Sequence, residues 1–379
     1  MKVLYIGYYR EASEWGRLTC DKILALDSAG VDVACRSVIL GSFNKDIDPR
    51  IVELEQKETT DCDVCIQHVF PHDMVATDHF KKNIGIFETD AITINDSLWA
   101  THLDKVKEVW VPNSDLKELV EAIPNRHCAT NVVNHCCDYD KFTQKYPEIQ
   151  LQEAAGKFKF YTICEASDIK NLDTVIKCFH SEFDRSEPVI LIMKVSKCGF
   201  EDKELKGYID KKILEIKTNL RMYSDIQEYK RDIVITENLS NDNLNSLHQY
   251  GDCFINVSHG EAWSSTTFDA VGFGSSPICS NIGGHKEYVK SRDCGILVDG
   301  GLSVCKCYDA AFPDTFTGRN YWFEPFEDHI KSSMRFQYDR FKENPIETSR
   351  KWKLTGLQAV SEFTRENIGR KMREILEHE

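Results

Sequence analysis

The 379-residue sequence has no apolar run that approaches the eighteen or so residues needed to span a bilayer. Its first residues, MKVLYIGYYREASEWG, also lack the apolar core and cleavage site of a secretory signal peptide. These absences argue against a membrane-spanning helix and against export. We therefore expect a cytoplasmic protein.

An excess of basic residues is missing as well, since the formal net charge is −14. General nucleic-acid binding needs a positive surface that neutralises phosphates, so this class of protein is disfavoured. Hydrophobic residues make up 41% and charged residues 28% of the chain, as in soluble globular proteins. The length allows two domains of ordinary size, each with its own core.

Signatures of zinc and dinucleotide binding are absent. No pair among the fifteen cysteines has both the spacing and the context of a zinc knuckle, and Cys62 and Cys65 lie in a strand-like run where positions i and i+3 face opposite sides. We expect most of them to be free thiols in a reducing compartment. Gly7 and Gly16 follow the first strand without the G-x-G-x-x-G pattern, which disfavours a dinucleotide-dependent dehydrogenase.

Short apolar runs typical of strands alternate with helical segments along the whole chain. One set runs from Lys2–Tyr9 to Asn131–His135, and a second from Phe158–Cys164 to Gly295–Val298. Such alternation predicts parallel sheets with helices on both faces. The polar stretch Lys145–Lys157 separates the sets, so we predict an α/β chain with domains at 1–150 and 151–350 and a helical tail at 351–379.

The segment from Ser258 to Val289 carries the most chemistry. Glu261 follows the apolar strand Cys253–Val257, and Asp269 follows eight residues later. Four hydroxyl residues offer N-caps to the intervening helix: Ser264, Ser265, Thr266 and Thr267. The amino end of a helix favours phosphate, and the carboxylates accept hydrogen bonds from hydroxyls. A nucleotide-sugar has both groups.

This segment resembles the glutamate-x7-glutamate signature of retaining glycosyltransferases with the GT-B fold, the large glycosyltransferase family 4 type (glycosyl transferases group 1). The match extends to Pro277, to Gly283-Gly284 and to Glu287, with Asp269 in place of the second glutamate. The resemblance implies two Rossmann-like doubly wound parallel-sheet domains that face each other across a cleft. It also implies a C-terminal helix that crosses back to the first domain.

Further matches cover nearly the whole chain. Asn83–Ala91 with Val109–Ser114, and Asn131–Phe142, resemble first-domain motifs of the family. Phe160–Asp173 resembles its phosphate-clamp strand and loop, in which Lys170 matches the clamp lysine. The usual clamp arginine is missing, and Glu165 or Cys164 stands in its place.

The resemblance also assigns roles to single residues. It implies that Glu261, Lys170 and Glu88 are catalytic, with Glu261 near the sugar hydroxyls and Glu88 at a strand end of the first domain. The implied donor-binding residues are Gly16, in the loop Arg10–Arg17 before a helix at Leu18, together with Lys170, Lys194, Ser264, Ser265, Thr266 and Asp269.

The implied reaction is retaining transfer of a hexose from a UDP- or GDP-sugar, with no further cofactor, to a glycan, lipid-linked or small-molecule acceptor. A lipid-linked acceptor would bring peripheral membrane contact. The D-x-D sequences at Asp61–Asp63 and Asp138–Asp140 do not lie in suitable loops, so we expect no catalytic metal. Two alternatives remain: a sugar-nucleotide epimerase or hydrolase of the same fold, and a non-catalytic relative that serves as an interaction scaffold.

Overall fold

The computed structural model describes residues 1–41, 46–94, 97–307 and 315–378. Two compact units make up the chain. Unit 1 comprises Met1–Lys141 and Ser361–Glu379, and unit 2 comprises Phe142–Val360. Each unit contains a parallel sheet of six strands within the described ranges, so the predicted α/β class with two doubly wound sheets is confirmed.

The sheet of unit 1 has the strand order β2-β1-β3-β4-β5-β6, with every pair parallel. The strands are β1 Lys2–Gly7, β2 Asp32–Ser37, β3 Val64–His68, β4 Lys82–Ile86, β5 Glu108–Val111 and β6 Ala129–Val132. The helices among them are α1 Glu14–Ser28, α2 Pro49–Glu55, α3 Leu98–Leu103 and α4 Ser114–Glu121. Central strands such as β3 are buried throughout, which explains their continuous apolar runs.

Helix α1 begins four residues earlier than the predicted start at Leu18. Ser13 has an extended backbone (φ −146°), and its side chain accepts a hydrogen bond from Gly16 N at 3.4 Å. This N-cap starts the helix at Glu14 and takes Gly16 out of the loop.

Unit 2 has the strand order β12-β11-β10-β7-β8-β9. Its sheet strands are β7 Phe158–Glu165, β8 Val189–Ser196, β9 Asp232–Ile235, β10 Cys253–Asn256, β11 Ile278–Ser280 and β12 Ile296–Val298. Its helices are α5 Leu172–Glu182, α6 Asp202–Leu220, α7 Asn241–Tyr250, α8 Ser265–Phe273, α9 His285–Tyr288, α10 Glu327–Glu343 and α11 Pro345–Val360. The side chains of consecutive strand residues, such as Phe160 and Tyr161, pack into two different hydrophobic clusters, so both faces of the sheet are covered.

An antiparallel hairpin in unit 2 was not among the predicted elements. It consists of β13 Gly300–Val304 and β14 Tyr321–Pro325. Phe323 N donates to His259 O at 2.9 Å, which ties β14 to the loop after β10. Gly300 allows this pairing because a Cβ atom there would lie 2.3 Å from Glu324 O.

The last helix, α12 Arg365–Glu377, belongs to unit 1 and packs on α1. Gly369 makes the close approach, since a Cβ atom there would lie 2.1 Å from Ala25 O. Arg365 adds an ion pair to Asp21 at 2.7 Å. The predicted return of the C-terminal helix to the first domain is therefore confirmed. Within the described ranges, no helix combines the length and apolar character needed to cross a membrane.

Candidate functional site

Lys170 and Glu261 meet at the carboxyl edge of the unit 2 sheet. Lys170 ends a 3-10 turn, Asp168–Lys170, after β7, and Glu261 lies in the loop after β10. Because β7 and β10 are parallel neighbours, the loops that follow them lie side by side. Lys170 Nζ donates to Glu261 Oε2 at 3.0 Å, with 21% of the lysine side chain and 6% of the glutamate side chain exposed.

Two hydrogen bonds fix these two loops against each other. Asn171 has a left-handed backbone (φ 55°), and its Nδ2 donates to Val257 O at 2.9 Å. His259 N donates to Ile169 O at 2.8 Å. The positions of Lys170 and Glu261 therefore depend on the fold of both loops.

Asn256, the last residue of β10, connects the carboxylate to helix α8. Its Nδ2 lies 2.9 Å from Ser264 Oγ, 3.0 Å from Thr267 Oγ1 and 3.4 Å from Glu261 Oε2. A single asparagine at a strand end has no spacing that would reveal this role. Asn256 is thus a site residue that the sequence pattern did not single out.

The amino end of α8 lies beside this cluster. Ser264, at φ 62°, is the N-cap, and its hydroxyl accepts from Thr267 N at 3.3 Å and lies 2.7 Å from Thr267 Oγ1. Ser265 is buried and Thr266 is half-buried in the first helical turn. The Ser264 hydroxyl therefore holds the helix start in place, next to Lys170 and Glu261.

Asp269 and Lys194 complete the predicted residues of unit 2. Asp269 is half-buried on α8. Lys194 lies near the end of β8, where its Nζ donates to Val195 O at 3.1 Å. Burial lowers the pKa of Lys194. Their roles toward a donor stay predictions.

Gly16 and Glu88, the other predicted residues, belong to unit 1. A Cβ atom at Gly16 would lie 2.0 Å from Glu11 O, closer than any real contact. Close packing of the preceding loop on α1 is therefore sufficient reason for a glycine here. Contact of Gly16 with donor phosphates stays a prediction.

Glu88 lies between two histidines at the carboxyl edge of the unit 1 sheet. Its Oε1 is 2.9 Å from His68 Nε2 and 3.0 Å from His135 Nε2. Tyr5 Oη lies 3.0 Å from His68 Nδ1 and extends the chain of contacts. Burial alone would raise the pKa of Glu88, but the imidazoles of His135 and His68 hold that pKa well below its usual value. Glu88 is therefore a buried, ionised carboxylate.

Residues 150–304 match the family model described as glycosyl transferases group 1. A 102-residue match, 28% identical, to probable polyketide synthase 28 of Dictyostelium discoideum covers 23% of this chain. It spans only 4% of that protein, so the chain corresponds to a small fraction of its length.

Solved structures similar over the whole chain show the fold. HepE (Alr3699) of Anabaena in complex with UDP-glucose has a TM-score of 0.64 at 11% identity, covering 99% of both chains. Sucrose-phosphate synthase from Thermosynechococcus elongatus has a TM-score of 0.65 at 11% identity, covering 99% of this chain and 98% of the other. A structure described as trehalose-6-phosphate from E. coli bound with UDP-2-fluoro glucose has a TM-score of 0.67 at 8% identity, covering 100% and 99%. The chain thus has the GT-B fold, and its residues 150–304 match the model of the glycosyl transferases group 1 family.

Proposed function

We propose that the protein is a retaining glycosyltransferase that moves a hexose from a UDP- or GDP-sugar to a glycan, lipid-linked or small-molecule acceptor. The observation that carries the proposal is the Lys170–Glu261 pair beside the amino end of α8, inside the segment that matches the family model. A cation, a carboxylate and a helix amino end suit the phosphate and hydroxyl groups of such a donor.

Each group of unit 2 then has a separate task toward the donor. Lys170 forms an ion pair with the diphosphate, either after its hydrogen bond to Glu261 breaks or while that bond persists. Ser265 and Thr266 present the amino end of α8 to the same phosphates, and Lys194 adds a further positive charge. Glu261 accepts hydrogen bonds from sugar hydroxyls, and Asp269 accepts them from the ribose.

Charge balance supports Lys170 as the principal cation. Glu165, which stands at one candidate position of the missing arginine, is exposed at the end of β7. An exposed carboxylate keeps its hydration, so it opposes a bound diphosphate less than a buried one would. A charge-assisted hydrogen bond from Lys170 contributes about 1.5–3 kcal/mol.

Unit 1 is proposed to serve the acceptor. Glu88 is already ionised and held by His68 and His135, so it can orient an acceptor hydroxyl without first losing a proton. A negative charge here suits the stabilisation of positive charge on a bound sugar. Contact of Gly16 with a donor is proposed from the resemblance alone.

The proposed mechanism needs neither a metal nor a separate catalytic base. The acceptor attacks the anomeric carbon from the face that the nucleoside diphosphate leaves, and the leaving diphosphate takes the proton of the acceptor hydroxyl. Configuration at the anomeric carbon is thereby retained. The protein contributes positioning of the two substrates and stabilisation of the charge on the leaving group.

One pair of observations favours a second candidate, a non-catalytic GT-B scaffold. Lys170 is engaged by Glu261, and Glu165 or Cys164 stands where the resemblance implies a clamp arginine. Both features weaken the attraction for a diphosphate. An epimerase or hydrolase would use the same donor site without an acceptor.

A donor panel distinguishes these functions. The protein is incubated with UDP- and GDP-hexoses, alone and with mixed saccharide or lipid-linked acceptors, and released nucleotide and sugar products are measured. Nucleotide release that requires an acceptor supports transfer. Release of free sugar without an acceptor indicates hydrolysis, a changed sugar on the nucleotide indicates epimerisation, and donor binding without turnover indicates a scaffold.

A further inference from the structure

Unit 2 contains a cavity of 220 Å³ whose lining includes neither Lys170 nor Glu261. The cavity lies between the loop after β7, the start of α5, the residue His259 and the hairpin strand β14. A site for one water needs only about 10–15 Å³, whereas drug-sized ligands occupy about 300–1,000 Å³. The cavity therefore has room for a small ligand with a single ring.

Two residues of the lining each have a buried polar atom that lacks a partner among the described residues. Trp322 Nε1 and Ser167 Oγ accept and donate no hydrogen bond within the described part of the chain. Trp322 is only 6% exposed, so its indole N–H has little access to bulk water. A buried donor without a partner costs about 1–3 kcal/mol, and folded proteins rarely retain one. A ligand in the cavity is the candidate partner for these two atoms.

His259 offers an acceptor to the same space. Its ring stacks on Trp322 with 3.8 Å between centroids and 13° between planes. His259 Nδ1 lies 2.8 Å from Phe323 O, and a carbonyl only accepts, so Nδ1 carries the proton. Burial lowers the pKa of His259, which keeps the ring neutral and leaves a lone pair on Nε2.

The charged groups of the lining balance each other. Lys212 Nζ lies 2.9 Å from each carboxylate oxygen of Asp173, which neutralises both residues. Lys306 and Asp168 supply one charge of each sign. Two carboxylates and two ammonium groups give the lining no net charge, so it favours a neutral ligand that both donates and accepts hydrogen bonds.

We propose that this cavity is a binding site for one neutral sugar ring, either a free monosaccharide or the terminal residue of a glycan. Sugar hydroxyls donate and accept, as the indole N–H, the Ser167 hydroxyl and His259 Nε2 require. The Trp322 ring provides the amphipathic surface on which an apolar sugar face packs. The proposal does not depend on transfer activity, because it concerns a different set of side chains from the Lys170–Glu261 pair.

Saturation-transfer NMR and calorimetry on the full chain test the proposal, without nucleotide present. The probes are glucose, mannose, galactose, their methyl glycosides, and disaccharides that end in each sugar. We expect at least one probe to bind, and Trp322→Phe and Ser167→Ala each to weaken it about fivefold, as loss of one hydrogen bond does. A free-sugar site prefers the monosaccharide, whereas a glycan site binds the matching methyl glycoside or disaccharide at least as well.

Two control variants locate the binding. Trp352 also has a buried indole N–H without a partner among the described residues but does not line the cavity, so Trp352→Phe should leave affinity unchanged. Lys170→Met should also leave it unchanged, which separates this site from the proposed donor site. Ser167→Ala removes a single oxygen atom, so the affinity of this variant still tests the proposal if Trp322→Phe fails to fold. The proposal is overturned if no sugar binds, if both cavity variants bind normally, or if inorganic phosphate binds and Lys306→Met abolishes its binding.

Discussion

Lys170 Nζ lies 3.0 Å from Glu261 Oε2, although 91 residues separate them in the chain. The pair exists because β7 and β10 are neighbours in the sheet and end at the same edge. Glu261 is nearly buried whereas Lys170 keeps some exposure, so the lysine is the partner that can move toward an arriving anion. This relationship underlies the proposed donor site.

Asn256→Leu should lower both the thermal midpoint and donor affinity. The amide holds Ser264 and Thr267 at the start of α8, and its loss leaves their buried hydroxyls with fewer partners. We expect destabilisation of about 1–3 kcal/mol. Asn281→Leu is the matched control, because within the described part of the chain the side-chain amide of Asn281 donates only to the exposed side chain of Asp299. Equal effects of the two variants on donor affinity would refute the role of Asn256.

Gly16→Ala should destabilise the protein. The added methyl group would overlap Glu11 O, and forced overpacking of this kind costs about 1–3 kcal/mol. Gly207→Ala is the control, since Gly207 lies inside α6 and an added Cβ atom there meets nothing within 4 Å. That change should be neutral or stabilising by up to about 1 kcal/mol. Thermal unfolding of the two variants should therefore shift in different directions, and a stable Gly16→Ala would show that the loop can move.

Stability should fall as pH drops from about 7 to about 5. Burial lowers the pKa of His135 and of His180, so below the unfolded value of about 6.5 the unfolded chain binds protons that the folded chain does not. Stability then decreases as pH decreases. Glu88 acts in the same direction at lower pH, because its pKa is depressed below the unfolded value of about 4.3.

Thermal unfolding at pH 7.5 and pH 5.5 measures this effect. His135→Gln should reduce the difference between the two midpoints, whereas His79→Gln, at an exposed position, should leave it unchanged. A protein that is equally stable at both pH values would contradict the assignment of a neutral, buried His135.

Transfer activity should survive removal of divalent metal. In the proposed mechanism, Lys170 and the amino end of α8 supply the positive charge that a metal supplies elsewhere. Rates measured with excess chelator and with added magnesium or manganese should agree within about twofold. Loss of activity with chelator and recovery on addition of one metal would contradict the proposed mechanism.

The alternating pattern of the sequence was sufficient to predict both sheets, because each strand is a short apolar run between turn signals. It also located the helix that begins beside Ser264 and the loop that holds Glu261. The chain passes from one compact unit to the other at 141/142 and at 360/361, whereas the predicted limits were 150 and 350. Polar composition marks only a boundary region. Phe142 packs against Gly272 of unit 2, so unit 2 begins at this residue, before the polar stretch.

The hairpin β13–β14 could not be predicted in the same way. Its two strands, Gly300–Val304 and Tyr321–Pro325, are not adjacent in the sequence. The position of the hairpin also depends on a backbone hydrogen bond to His259, which no local pattern encodes. Helix α1 begins at Glu14 rather than at the predicted Leu18 because Ser13 caps it, and Gly16, a residue typical of loops, lies in its first turn. The Lys170–Glu261 contact depends on strand order, which the sequence does not give directly.

The most direct test of the proposed function is acceptor-dependent nucleotide release by Lys170→Met. Lys177→Met is the matched control, because Lys177 forms an exposed ion pair with Glu327 at 2.7 Å in the same unit. With the donor and acceptor identified by the panel, we predict that Lys170→Met lowers kcat/KM by at least about tenfold, in line with one lost charge-assisted hydrogen bond, while Lys177→Met retains the wild-type rate. A folded Lys170→Met protein that transfers sugar at the wild-type rate would contradict the donor site proposed for this chain.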